Sequence, residues 1–92
     1  MSTYLMFGEY PIDAVKSVSA KRTEQAKTLI EQNGGEYKGG YALLGEIDLV
    51  LIVDLPDTES AMKTSKDLSR KTGISFTTAP AVSVAEFDKL MR

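Results

Sequence analysis

Four residues of this sequence combine a reactive or ligand-binding side chain with a suggestive position: Arg22, Tyr37, Tyr41 and Asp48. Arg22 lies midway between Val15 and Leu29, on the apolar stripe of a predicted helix that must face a sheet. A guanidinium in that setting asks for a partner. It can hold a carboxylate or another anion in a pocket between helix and sheet, because its planar donors suit bidentate contact. It can equally close an internal ion pair with Asp48 or Glu9, or snorkel to solvent if the helix starts only at Ser19. Asp48 stands where a tight turn passes into a hydrophobic strand. It can act as a general base if buried, or it can fix the turn through backbone hydrogen bonds, which is the commoner use. Tyr37 and Tyr41 are predicted to share its sheet face, where they can stack on a flat ligand, donate a phenolic proton or pack at an interface.

The composition narrows the chemistry further. The chain contains no cysteine and no histidine, which removes disulfides, thiolate nucleophiles, thiolate metal sites and imidazole bases from consideration. Met6, Met62 and Met91 read as core fillers rather than metal ligands, so neither a metal nor a cofactor is expected. Gly34-Gly35 and Gly39-Gly40 lack the following helix with Lys and Ser or Thr that a phosphate loop requires. They read as a helix stop and as a bulge in an edge strand. A net charge of -2, with no basic cluster longer than Lys21-Arg22 and Arg70-Lys71, argues against nucleic acid and against anionic membrane. The apolar stretch from Tyr4 to Phe7 is too short for a membrane span or a signal-peptide core, so residence in the cytoplasm is expected.

These side chains need elements to position them, and a chain of 92 residues is read as one domain, 1–92. Tyr4–Gly8 is predicted as a first strand. A helical stretch runs from Pro11 to Gln32, with Ile12, Val15, Ala26, Leu29 and Ile30 on one stripe, and Ser17, Ser19 and Thr23 offer alternative N-cap hydroxyls, so that a longer helix can restart near Ser19. Asn33-Gly34-Gly35 ends it. Glu36–Leu44 and Ile47–Asp54 form a hairpin about a two-residue Gly45-Glu46 turn, which sets Leu44 opposite Ile47 and Tyr41 opposite Val50. Asp57 caps a second helix whose inner stripe is Ala61, Met62, Ser65, Leu68 and Thr72, and Gly73 stops it. Ile74–Thr78 is a fourth strand, with Pro80 confining its far end to a sheet edge. Ser83-Val84-Ala85-Glu86 is a capping-box pattern before a short C-terminal helix carrying Phe87, Leu90 and Met91. The order is βαββαβ, an α+β fold of ferredoxin-like topology with a four-stranded antiparallel sheet.

Leu49-Val50-Leu51-Ile52-Val53 is apolar at consecutive positions, so this strand needs cover on both faces. The two main helices lie on one face in this topology, and a second copy of the sheet is the economical cover for the other. A homodimer, or a higher even oligomer, is therefore expected. The alternative is a monomer whose tail helix folds back over the open face.

The chain resembles the GYD family, a group of small bacterial and archaeal proteins of the dimeric α/β barrel superfamily. The resemblance runs through Ser19-Ala20-Lys21-Arg22-Thr23, Gly34-Gly35, Tyr41–Val50, Thr72–Phe76 and Pro80-Ala81-Val82. The Gly-Tyr-Asp signature appears here as Gly45, Glu46, Ile47 and Asp48, with Ile47 where the signature tyrosine falls. The resemblance implies a dimeric α/β barrel but no particular activity, since related branches include cofactor-independent monooxygenases, lactone isomerases, haem enzymes and amino-acid-sensing domains. The leading expectation is a homodimer that binds a small molecule through Arg22, Tyr37, Tyr41 and Asp48. The alternatives are a cofactor-independent monooxygenase or isomerase acting on a small apolar or aromatic substrate, and an oligomerising regulatory module.

Overall fold

The computed structural model describes residues 1–11 and 20–92. Its elements are β1 (Ser2–Glu9), α1 (Ala20–Gln32), β2 (Glu36–Ala42), β3 (Leu49–Leu55), α2 (Thr58–Thr72), β4 (Ser75–Ala81) and α3 (Val84–Leu90). The strands form one sheet in the order β2-β3-β1-β4, and every pairing in it is antiparallel. This is the ferredoxin-like α+β arrangement the element order implies. Expectations resting on Ile12, Val15, Ser17 and Ser19 fall outside the described residues.

Alternation along the strands separates the two faces of the sheet. In β1 and β3, Tyr4, Met6, Leu51, Val53 and Leu55 are buried and form the core with Ile30 of α1 and Ala61 and Leu68 of α2. Leu5, Phe7, Val50 and Ile52 occupy the intervening positions and are half-buried. Both apolar faces expected of β3 are thus present, and the helices cover one of them. The tail does not cover the other: every residue of α3 is exposed, with Phe87 at 51% and Leu90 at 73%. The folded-back monomer is not the arrangement observed.

The helix ends follow their local chemistry. Gly34 takes a positive φ of 83°, and the Gly34 N–H donates to the Glu31 carbonyl while Gly35 N–H reaches back to Ile30. These two bonds make a Schellman stop that satisfies the last carbonyls of α1. At the start of α2 the Asp57 carboxylate accepts from the Ser60 N–H at 2.8 Å, and Gly73 ends the helix in the left-handed region. The inner face of α2 differs from expectation at one position. Met62 is 63% exposed, and Thr64 is fully buried instead. Buried Thr64 is satisfied because its hydroxyl accepts from Asn33 Nδ2 at 3.0 Å, across to the end of α1. Met6 fills the core as expected, but Met62 and Met91 lie on the surface.

The hairpin keeps the expected register, with Tyr41 opposite Val50 and Ala42 opposite Leu49. Its tip is wider than a two-residue turn. The strands end at Ala42 and Leu49, and Leu43 N–H donates to the Asp48 carbonyl at 2.8 Å. Farther along β2 the register shifts by one residue between Tyr37 and Gly39. Lys38 is the extra residue, and a bulge on this edge strand is where the Gly39-Gly40 pair placed one.

Candidate functional site

The Lys38 bulge decides which way each tyrosine points. A single inserted residue moves everything beyond it to the other face of a sheet. Tyr37 is therefore opposite Val53, on the helix-covered face, while Tyr41 is opposite Val50, on the open face. The expectation that both share a face with Asp48 is corrected: strict alternation cannot anticipate an unpaired residue between them.

On the covered face, a cleft of about 310 Å³ opens between α1, the end of α2 and the sheet. Its floor is apolar, formed by Leu49, Leu51, Ile74 and Phe76, and its walls carry Arg22, Tyr10 and Tyr37. Tyr41 also borders it, at the rim, and is 64% exposed. Three of the four residues singled out from the sequence thus meet at one cleft.

Arg22 is half-buried. Its guanidinium carbon lies 5.1 Å from the centroid of the Tyr10 ring, within the range of a cation–π contact. The ring quadrupole attracts the cation and holds the planar fork at the cleft wall. On the other side, Lys27 Nζ stands 5.0 Å from the Tyr37 ring centroid, while also reaching Glu24 at 3.4 Å.

Gly40 makes the room that Tyr37 uses. A Cβ on Gly40 would lie 2.6 Å from the Tyr37 hydroxyl oxygen and 3.0 Å from Leu51 Cδ2. The phenol lies back along its own strand over bare backbone, beside the cleft floor. The functional meaning of Gly40 is thus a close approach of a side chain rather than a phosphate loop.

Asp48 is not on the cleft lining. Its Oδ2 accepts a hydrogen bond from the Tyr10 N–H at 2.8 Å, and its own N–H donates to the Gly8 carbonyl at 2.9 Å. It is a backbone clamp. What it clamps is the end of β1 rather than the hairpin turn. Asp48 thereby positions Tyr10, the ring beneath Arg22. Tyr10 is the functional candidate that sequence reasoning missed. It sits beyond the first strand and just before Pro11, and no spacing ties it to Arg22; the shared contact is made by tertiary packing.

Among the described residues no group of three or more acidic, histidine or cysteine side chains could hold a metal ion. Nor, among them, is any helix long and apolar enough to cross a membrane.

Comparison with known proteins places this geometry in context. Among solved structures the chain is similar to the leucine response regulatory protein LrpA of Mycobacterium tuberculosis, with a TM-score of 0.59 and 10% sequence identity. The match covers 90% of this chain and 51% of that one, so this chain spans about half the length of its structural relative. At that identity the likeness is one of fold. No curated protein sequence matches the chain. The GYD domain model matches residues 4–91, nearly the full length, including Arg22, Tyr37 and Asp48, and on that match the chain belongs to the GYD domain family.

Proposed function

We propose that this protein is a homodimeric small-ligand-binding protein, whose cleft takes a compact aromatic or otherwise apolar molecule and whose Arg22 receives that molecule's anionic group. The observation that carries this reading is the composition of the cleft: an apolar floor, aromatic walls and a guanidinium held over the Tyr10 ring. Small-molecule sites are typically apolar concavities with a few placed polar groups. A flat carboxylate suits this one, since its ring can lie between Tyr37 and the Phe76 floor while its oxygens meet the planar donors.

The dimer is supported by Leu5, Phe7, Val50 and Ile52 on the open face, which α1, α2 and α3 leave uncovered. The same residues on a two-fold mate are the simplest apolar cover. Sedimentation of the native chain should give twice 10.0 kDa, and Ile52→Lys should halve that mass without unfolding α1 or α2.

Binding is favoured over catalysis because the described cleft lining contains no carboxylate, and the candidate base read from the sequence, Asp48, is engaged by the Tyr10 N–H. A regulatory role would use the same cleft and the same pairing. The solved relative is a leucine response regulatory protein by name, but its likeness extends to the fold and carries no ligand across.

The test is titration of the native dimer with benzoate and phenylacetate against their neutral amides, followed by NMR shifts of labelled tyrosine. The acids should bind at least ten times more tightly than the amides, and Arg22→Gln should erase that difference. Equal affinity for acids and amides, or acid binding indifferent to Arg22→Gln, would remove the anion site. Absence of binding by either set would remove the aromatic ligand class.

A further inference from the structure

We propose that the groove between α2 and β4 is a second small-molecule site, one that takes a short-chain aliphatic carboxylate. It shares no described lining residue with the Arg22 cleft, so the inference stands apart from the function proposed above.

Strand register builds one wall of the groove. Tyr4 stands opposite Pro80 and Met6 opposite Thr78, so Tyr4, Thr78 and Pro80 share the helix-covered face. The other wall is α2, where Ala61 and Ser65, and Met62 and Lys66, follow one another at four-residue spacing. Between the walls lies about 190 Å³ of space. Sites for drug-sized ligands start at roughly 300 Å³, so the occupant is smaller than those. Ala61, Met62 and Pro80 offer it aliphatic surface, which suits a short apolar body.

The hydroxyl groups there have protons to give. Tyr4 is only 5% exposed and belongs to the core cluster. Its hydroxyl nevertheless makes no hydrogen bond among the described residues, and it is not sealed from solvent. A phenol so deeply buried ordinarily has a partner, and the groove that Tyr4 lines is where one can reach it. Ser65, also buried, and Thr78 share a single hydrogen bond of 2.9 Å between their hydroxyl oxygens. That bond uses one of the two hydroxyl protons, so the pair keeps the other to donate.

Lys66 supplies the charge. Its helix neighbours at three and four residues are Met62, Lys63, Ser69 and Arg70, none of them acidic. Among the described residues it forms no ion pair. The described lining contains neither Asp nor Glu. An ammonium at the rim with hydroxyl donors beneath it fits a carboxylate, which accepts charge-assisted hydrogen bonds from both. The same lining gives an amino acid's ammonium no carboxylate to pair with, and this selects a simple acid.

The probe is isocaproate, compared with its neutral amide and with leucine, which adds an ammonium to the same branched chain. The native chain, carrying ring-labelled tyrosine, is titrated with each and followed by NMR. Isocaproate should shift the Tyr4 resonance and bind at least ten times more tightly than the amide or leucine. Lys66→Gln, at an exposed position, should weaken it at least fivefold. Tyr4→Phe, which keeps the ring, should weaken it at least threefold while thermal melts show the fold intact. Arg22→Gln should leave it unchanged. If isocaproate instead moves Tyr10 and Tyr37 and needs Arg22, it occupies the first cleft; the second site is overturned and the cleft reading survives. Sensitivity to Lys66→Gln without sensitivity to Tyr4→Phe would mean an anion held at the surface by charge alone, and the groove would not be its site. Equal binding of the amide or of leucine would overturn the ligand class. If none of the three shifts Tyr4 at millimolar concentration, the groove holds solvent alone and the proposal fails, whatever benzoate does at Arg22.

Discussion

Arg22 and Tyr10 form a stacked pair at the cleft, 5.1 Å from guanidinium carbon to ring centroid, and the pair stands on a third residue, Asp48, which holds the Tyr10 backbone at 2.8 Å. Residues distant in sequence thus act as one unit, with Asp48 holding the Tyr10 backbone and the Tyr10 ring holding the Arg22 guanidinium at the cleft wall. Replacing Asp48 by Ala removes the acceptor and leaves the Tyr10 N–H without this partner. Loss of such a charge-assisted bond costs about 1.5–3 kcal/mol. Asp48→Asn keeps a carbonyl oxygen at the same place. Urea unfolding should therefore show Asp48→Ala clearly destabilised and Asp48→Asn closer to native, with benzoate affinity following the same order.

The Tyr37–Gly40 contact gives a second prediction. A methyl group at Gly40 would collide with the Tyr37 hydroxyl and with Leu51, so Gly40→Ala should cost about 1–3 kcal/mol as overpacking. Tyr37→Phe removes the oxygen in conflict. The double variant should then be less destabilised than the sum of the two single changes, with a coupling of about 0.5 kcal/mol or more between contacting residues. Additive effects in a denaturation cycle would show that the hydroxyl does not occupy that space.

Much of this architecture was readable because its determinants are local. Asp57 before Ser60 announces a cap, Gly34-Gly35 announces a stop, and the uninterrupted apolar run of β3 announces a strand with two faces to shelter. The Tyr41–Val50 register followed from the hairpin even though its tip proved wider than two residues. Where the reading failed, the cause was a partner distant in sequence or a break in period. Lys38 is an ordinary residue whose insertion turns Tyr37 to the helix side. Thr64 is polar, and its burial depends on Asn33 of the preceding helix end. Arg22 was legible as a charge on an apolar stripe, whereas Tyr10 carried no signal until the fold placed its ring beneath the guanidinium.

Two glycines of β2 and its approach offer a contrast in cost. At Gly35 a Cβ would lie 2.5 Å from Leu55 Cδ2 and 2.6 Å from the Asp54 carbonyl oxygen, and backbone cannot step aside as a side chain can. Gly35→Ala should cost at least ~2 kcal/mol, at the upper part of the overpacking range. At Gly39 nothing lies within 4 Å of a built Cβ. Gly39→Ala there should be neutral or stabilising by up to about 1 kcal/mol through reduced freedom of the unfolded chain. Thermal melts of the two variants side by side check the pair, and equal losses would contradict the close approach of Gly35 to β3.

The acid limb of stability should carry a signature of Asp57. The hydrogen bond from the Ser60 backbone N–H favours the ionised carboxylate and lowers its pKa below the ordinary value of 3.8, with the Ser60 side chain adding to the effect. A carboxyl group whose pKa is lower folded than unfolded stabilises the native state in full above the unfolded value. That contribution fades as the pH falls through 3.8 and then through the folded value, where both states are protonated. Asp57→Asn keeps an oxygen able to cap α2 but cannot titrate. Its melting temperature should therefore stay near native at pH 7 and should fall less steeply than native as the pH drops below 3.8, where the unfolded carboxylate and then the folded one take up a proton. Asp57→Ala should be lower than both at pH 7, because it loses the cap itself. The assignment fails if Asn and native chains lose stability in parallel on acidification, since the acid sensitivity would then belong to other carboxylates, Asp67 beside Lys63 foremost among them.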